Sequence, residues 1–192
     1  FTPFAMFQAL TNIASPYDLN PFDYNPLKQT LRAVIDFERL RSETGIELFI
    51  AATNVETGKV RIFKQQDISE EAVLASACLP QVFKAVEVDN TAYWDGGYVG
   101  NPSLYPLFYA DVPRDMLIVH INPLVRKGTP KTAGAILDRL NEITFNASLL
   151  SELRSIAFVQ RLLDENWLAD RIKSRYRKLN VHAIRADKQL CE

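Results

Sequence analysis

The run Tyr93-Trp94-Asp95-Gly96-Gly97 constrains this chain more than any other stretch. A carboxylate followed by two glycines closes an apolar run that would otherwise continue as a strand. Glycines open backbone conformations denied to residues with a Cβ and let another segment approach closely. Asp95 is then free to turn away from the sheet instead of extending it. Asp-Gly also marks ordinary turns. The doublet alone therefore leaves two readings, an exposed turn or a carboxylate held at a strand end for chemistry.

The flanking sequence supplies the frame. Ser15-Pro16, Asn20-Pro21 and Asn25-Pro26 place three X-Pro bonds within a dozen residues, which forces a structured connection of extended and turn geometry. Asn25 reads as a helix cap with Pro26 at the first position and Leu27, Leu31 and Val34 on one face. Asp36 to Leu40 reads as a short helical turn. Ile46 to Ala52 predicts a buried strand, and Lys59 to Lys64 its half-exposed hairpin partner, with Gly58 in the turn. Asp67-Ile68-Ser69-Glu70 has helix-start chemistry, and Ala72 to Cys78 continues that helix until Pro80. Asp89-Asn90 predicts a second hairpin, between Ala85–Val88 and Ala92–Trp94, that delivers the chain to Asp95.

Met116 to Ile121 is the most apolar run and predicts a central strand covered on both faces, as in a parallel sheet. From Thr132 to Leu163, Ile136, Leu140, Ile143, Ala147, Leu150, Leu153 and Ala157 recur every three or four residues, the pattern of one long amphipathic helix or two in sequence. Val181 to Ala186 reads as a late strand. Strands interleaved with helices give an α/β class. Phe1 to Leu10 is apolar and aromatic with no capping signal, so the expectation is one domain over 1–192 that lacks its N-terminal side.

The formal charge of −1 offers no field for nucleic acid. Cys78 and Cys191 form neither a disulfide framework nor a metal spacing. No run reaches the ~20 apolar residues that span a bilayer. The aromatic positions Phe1, Phe4, Phe7, Tyr17, Phe22 and Tyr24 fit either a core or a lipid-facing channel or surface.

Asp95-Gly96-Gly97 does not stand alone. Ser15-Pro16-Tyr17-Asp18-Leu19-Asn20-Pro21, Ala52-Thr53-Asn54, Ala75-Ser76-Ala77-Cys78-Leu79-Pro80, Asn101-Pro102 and Asn122-Pro123 accompany it in order. This set resembles the bacterial patatin-like phospholipases. The resemblance implies a sheet flanked by helices, and a lipid acyl hydrolase of phospholipase A type that uses no metal or organic cofactor and needs no calcium. In such an enzyme Asp95 is the aspartate of a Ser-Asp dyad, and Gly96 and Gly97 support its loop. The family's Gly-x-Ser-x-Gly elbow and glycine-rich oxyanion loop do not occur among the seven glycines here. The expectation is thus that the chain supplies the aspartate and that a missing N-terminal segment of the same domain, its partner, supplies the serine.

The residues themselves agree with a dyad. His120 falls inside an apolar strand, where a satisfied core residue is the ordinary reading, and His182 has no motif beside it. Neither recommends itself as a triad base. Ser76 lacks the glycines of a strained elbow and reads as a packing residue. Asn146-Ala147-Ser148 matches a glycosylation acceptor but lies in a helical run, which discounts it. Tyr98 and Asn101 are placed to support the Asp95 loop. Two other readings remain open: an inert scaffold of the same fold, and a soluble-ester hydrolase or thioesterase. The substrate expected is a lipid or acyl ester, with peripheral membrane contact and a cytoplasmic or membrane-surface location.

Overall fold

A computed structural model describes residues 14–109, 114–169, 171 and 178–185. The chain divides into two units, one reaching to Pro102 and the other running from Ser103. The expectations for Phe1 to Leu10, for the strand end at Ala186 and for Cys191 lie outside the described residues.

The first unit begins with α1 (Pro16–Leu19), α2 (Pro26–Val34) and α3 (Phe37–Ser42). Asn25 caps α2 by accepting from Leu27 N at 3.0 Å, with Pro26 at the first helical position as expected. Asp36 caps α3 through Glu38 N and Arg39 N. The sheet follows: β1 (Phe49–Asn54), β2 (Val60–Lys64), β3 (Val86–Val88) and β4 (Thr91–Asp95), in the order β2-β1-β4-β3. Gly58 takes φ +64 in the first hairpin turn, and Asp89 and Asn90 take φ 51 and 59 in the second. The left-handed Asp89 and Asn90 match the strand twist that a two-residue hairpin requires.

Every neighbouring pair in this sheet is antiparallel: the two expected hairpins pair β1 with β2 and β3 with β4, and β4 lies beside β1. Within each hairpin the cause is local, since short turns can join only antiparallel strands. β1 starts later than Ile46. The Gln65 side chain takes the place of a further ladder bond there, accepting from Leu48 N at 2.9 Å and donating to Leu40 O.

Between β2 and β3 lies α4 (Glu70–Ser76), capped by Ser69, which accepts from Ala72 N at 3.2 Å. Its buried residues Ala72 and Ala75 pack on Ala52, Phe63 and Tyr93 of the sheet. Small residues on the helix let it lie close over the strands, and Phe63 meets Tyr93 edge to face at 5.6 Å. Arg32 on α2 reaches Glu70 on α4 at 2.6 Å and ties the two helices together.

The second unit holds α5 (Tyr105–Tyr109), β5 (Asp115–His120), α6 (Ala133–Asp164) and β6 (Asn180–Arg185). β5 and β6 pair in parallel, in register from Asp115↔Asn180 to His120↔Arg185, and α6 forms part of the long connection that such pairing needs. The region from Thr132 to Leu163 is one helix.

Two expectations are corrected in this unit. β5 is covered on one face, not both. Met116 and Ile118 are buried with Leu149 and Ile156 of α6, whereas Leu117 and Val119 are exposed. The second correction concerns α6, which turns a different stripe inward. Glu142, Asn146, Leu149 and Ile156 are buried; of the expected stripe Leu153 packs against this cluster, while Ile136, Leu140, Ile143 and Leu150 are exposed. The polar pair faces inward because partners wait there. Glu142 joins Arg126 at 2.6 Å and Arg139 at 3.0 Å. Asn146 meets the His120 ring at 2.8 Å and donates to Pro123 O at 3.2 Å. Its burial also removes Asn146 from use as a glycosylation acceptor.

Candidate active site

Asp95 is the last residue of β4, an inner strand, and it is half-buried. Its N–H donates to Cys78 O at 2.9 Å, its carbonyl accepts from Thr53 Oγ1 at 2.7 Å, and its Oδ1 accepts from Gly97 N at 2.7 Å. These bonds reach Asp95 from the loop after α4, from β1 and from the glycine turn. They hold the backbone on both sides and fix one carboxylate oxygen. Among the described residues no donor reaches Oδ2 and no cation pairs with the carboxylate.

Burial pushes the Asp95 carboxyl above its usual range, against a lowering effect from the Gly97 N–H. The group is thus a better base than a solvated aspartate, with one oxygen free to use. Its surroundings carry little competing chemistry. Burial raises the Cys78 thiol to about 11, with Asp95 adding to the effect, so the thiol is inert at neutral pH. The Cys78 Sγ donates to Lys84 O at 3.1 Å.

Gly96 and Gly97 differ in what they contribute. A Cβ on Gly96 would lie 2.1 Å from Ala51 O, so a side chain there would push into β1. Close approach, and no unusual φ, is what requires glycine at 96. Gly97 contributes its N–H to Oδ1, and a 3₁₀ turn over Gly96–Tyr98 carries the chain away. Tyr98, placed beside the site on sequence grounds, donates its hydroxyl to Gln81 Oε1 at 3.3 Å. Asn101 precedes a cis Pro102.

Ser76 is half-buried and donates to Val73 O at 2.7 Å within its own helix, which agrees with a packing role. His120 is half-buried and satisfied by Asn146, and exposed His182 pairs with Asp115 at 3.0 Å. Thr53 and Cys78 belong to motifs visible in the sequence, but their bonds to Asp95 depend on sheet and loop pairing that no local pattern displays. Among the described residues no three His, Cys, Asp or Glu side chains are grouped to hold a metal, and no helix is long and apolar enough to cross a membrane.

The first unit is therefore an α/β layer, an antiparallel sheet flanked by helices, that presents a desolvated carboxylate at the end of an inner strand. A family model, patatin-like phospholipase, matches residues 12–110, just over half of the 192, and the chain belongs to that family. The class is one of enzymes that hydrolyse lipid esters. The match covers the whole sheet and Asp95, and it stops before β5 and α6. No curated protein matches the chain.

Proposed function

We propose that Asp95 is the general base of a Ser-Asp dyad in a lipid acyl hydrolase of phospholipase A type. One observation carries the reading: a half-buried carboxylate, raised in pKa by burial, has one oxygen bonded to Gly97 and the other without a donor among the described residues. The serine comes from outside these residues, since the sequence has no Gly-x-Ser-x-Gly elbow and no described serine bonds Asp95.

In this mechanism Oδ2 takes the serine proton as the serine oxygen attacks the ester carbonyl. The ester C–O bond breaks, the proton passes from Asp95 to the leaving alkoxide, and an acyl-serine remains. Water then attacks the acyl-serine carbonyl, giving its proton to Oδ2; the acyl–serine C–O bond breaks, the proton passes from Asp95 to the serine oxygen, and the fatty acid leaves. The chemistry is pure acid-base and nucleophilic catalysis and calls on no metal or organic cofactor.

The test is the protein expressed from the full coding region that contains this chain. Asp95→Asn keeps the shape and the Gly97 bond but removes the base, so phospholipid hydrolysis should fall on the order of 10²-fold or more. Near-normal turnover in that variant contradicts the assignment. Absence of hydrolysis in the parent protein points to an inert scaffold. Faster cleavage of short p-nitrophenyl esters than of micellar phospholipid points to a soluble-ester hydrolase.

A further inference from the structure

The segment Tyr17–Tyr24 presents aromatic side chains on an unusually well-tied loop. Ser15 and Asp18 close a capping box at the start of α1, with Ser15 Oγ donating to Asp18 Oδ2 at 2.6 Å. Asn20 then clamps the turn from both sides. Its Oδ1 accepts from Tyr24 N at 2.8 Å, and its Nδ2 donates to Tyr24 O at 2.9 Å. Asp23 takes φ 52 between them. At the tip, Phe22 is 93% exposed, and Tyr17, Leu19 and Tyr24 are exposed beside it.

The loop is anchored toward the candidate site. Lys84 Nζ donates to Pro21 O at 3.0 Å and stands 5.7 Å from the centre of the Tyr17 ring. Ala85 N donates to the Tyr17 hydroxyl at 3.3 Å. Lys84 O in turn accepts the Cys78 thiol, and Cys78 O holds the Asp95 N–H. The aromatic tip and the candidate base are thus fixed to the same stretch, Cys78–Ala85.

We infer that Tyr17–Tyr24 is a docking loop that inserts Phe22 into a lipid surface, with Tyr17 and Tyr24 at headgroup level. The choice of partner rests on the acyl-hydrolase reading, because the lipid that Asp95 would act on lies in such a surface. A protruding phenylalanine gains by leaving water, and tyrosines favour the boundary where one end is apolar and the other wet. The turn is already ordered, so little conformational freedom remains to be lost on insertion. Charge points to a zwitterionic surface. Asp18 and Asp23 on the loop outweigh Lys84 beneath it, so attraction to anionic headgroups is not the driving term.

The experiment separates docking from hydrolysis by using vesicles of diether phosphatidylcholine, which an esterase cannot cleave. The 192-residue chain is floated with them at low and high salt. The parent should float at both salt levels, Asp95→Asn should float like it, and Phe22→Ser should lower the vesicle partition coefficient about tenfold. Phe22→Trp should show added fluorescence that brominated phosphatidylcholine quenches, beyond the quenching of Trp94 and Trp167 in the parent. A parent that stays in solution, a Phe22→Ser variant that floats equally well, or an unquenched Phe22→Trp overturns the inference. So does binding that requires anionic lipid and vanishes in salt, or a Phe22→Ser effect on oligomeric state with vesicle binding unchanged. Hydrolysis of a soluble short-chain ester by the protein from the full coding region reports on Asp95 alone, so the two readings fail separately.

Discussion

The two units solve burial differently. In the first, α4 lies over an antiparallel sheet whose Ala52, Phe63 and Tyr93 are buried against Ala72 and Ala75. In the second, β5 and β6 form a parallel pair whose outer residues Leu117, Val119 and Ile184 are exposed, and Ile136, Leu140, Ile143 and Leu150 of α6 are exposed too. The first unit is held by packed apolar contacts and by the Arg32–Glu70 pair between its helices, with Asp95 half-buried at the end of an inner strand. The second relies on a polar network around Glu142 and Asn146 as well as on its small apolar cluster. A sheet with a finished core can keep a carboxylate desolvated at a fixed position, and the catalytic candidate lies on that sheet.

Substitutions can break or sharpen this contrast. Trp94 lies in the first unit and Trp167 in the second, so denaturation followed in variants retaining one or the other reports on each unit. The largest effect is expected at Phe63→Ala, which empties the centre of the first core and should lower the stability read at Trp94 by about 3–5 kcal/mol. Gly96→Ala comes next, at about 3 kcal/mol on the same probe, because its Cβ would overlap Ala51 O and the backbone must move. A Gly96→Ala variant as stable as the parent would remove the close-approach argument.

In the second unit, Glu142→Ala strands Arg126 and Arg139 and should cost about 2 kcal/mol at Trp167. The smallest effect belongs to Ile143→Ser. Its side chain is half exposed on α6, so stability should change by less than about 0.5 kcal/mol. A loss of the size seen at Phe63 would mean that the outer stripe is a core surface after all.

Much of the first unit is legible in the sequence because its signals are local. Asn25-Pro26, Ser69, Asp89-Asn90 and Asp95-Gly96-Gly97 each specify a cap or turn from within a few residues. What is not legible depends on pairing across distance. Thr53 reaches Asp95 only because β1 pairs with β4, and the Cys78 carbonyl only because the loop after α4 returns beside it. The facing of α6 fails for the same reason. Apolar spacing marks an amphipathic helix, but Glu142 and Asn146 turn inward toward Arg126, His120 and Pro123, partners that periodicity does not contain. Phe22 shows a third limit, because composition names an aromatic without saying that a clamped turn will expose it.

The central claim is that Asp95 is a carboxylate kept out of water for use as a base, at some expense of stability. It is tested most directly by the melting temperature of the parent and of Asp95→Asn from pH 3 to 8. Burial raises the folded-state pKa, so the folded protein holds its proton to higher pH than the unfolded chain does. Below the ordinary carboxylate range both states are protonated and the variants should melt together. As pH rises through that range toward the raised folded value, the parent should lose stability relative to Asp95→Asn, and the gap should then stay level to pH 8. A gap of the opposite sign, with the parent gaining on Asp95→Asn as pH rises, would make the carboxylate a structural anion and contradict the account.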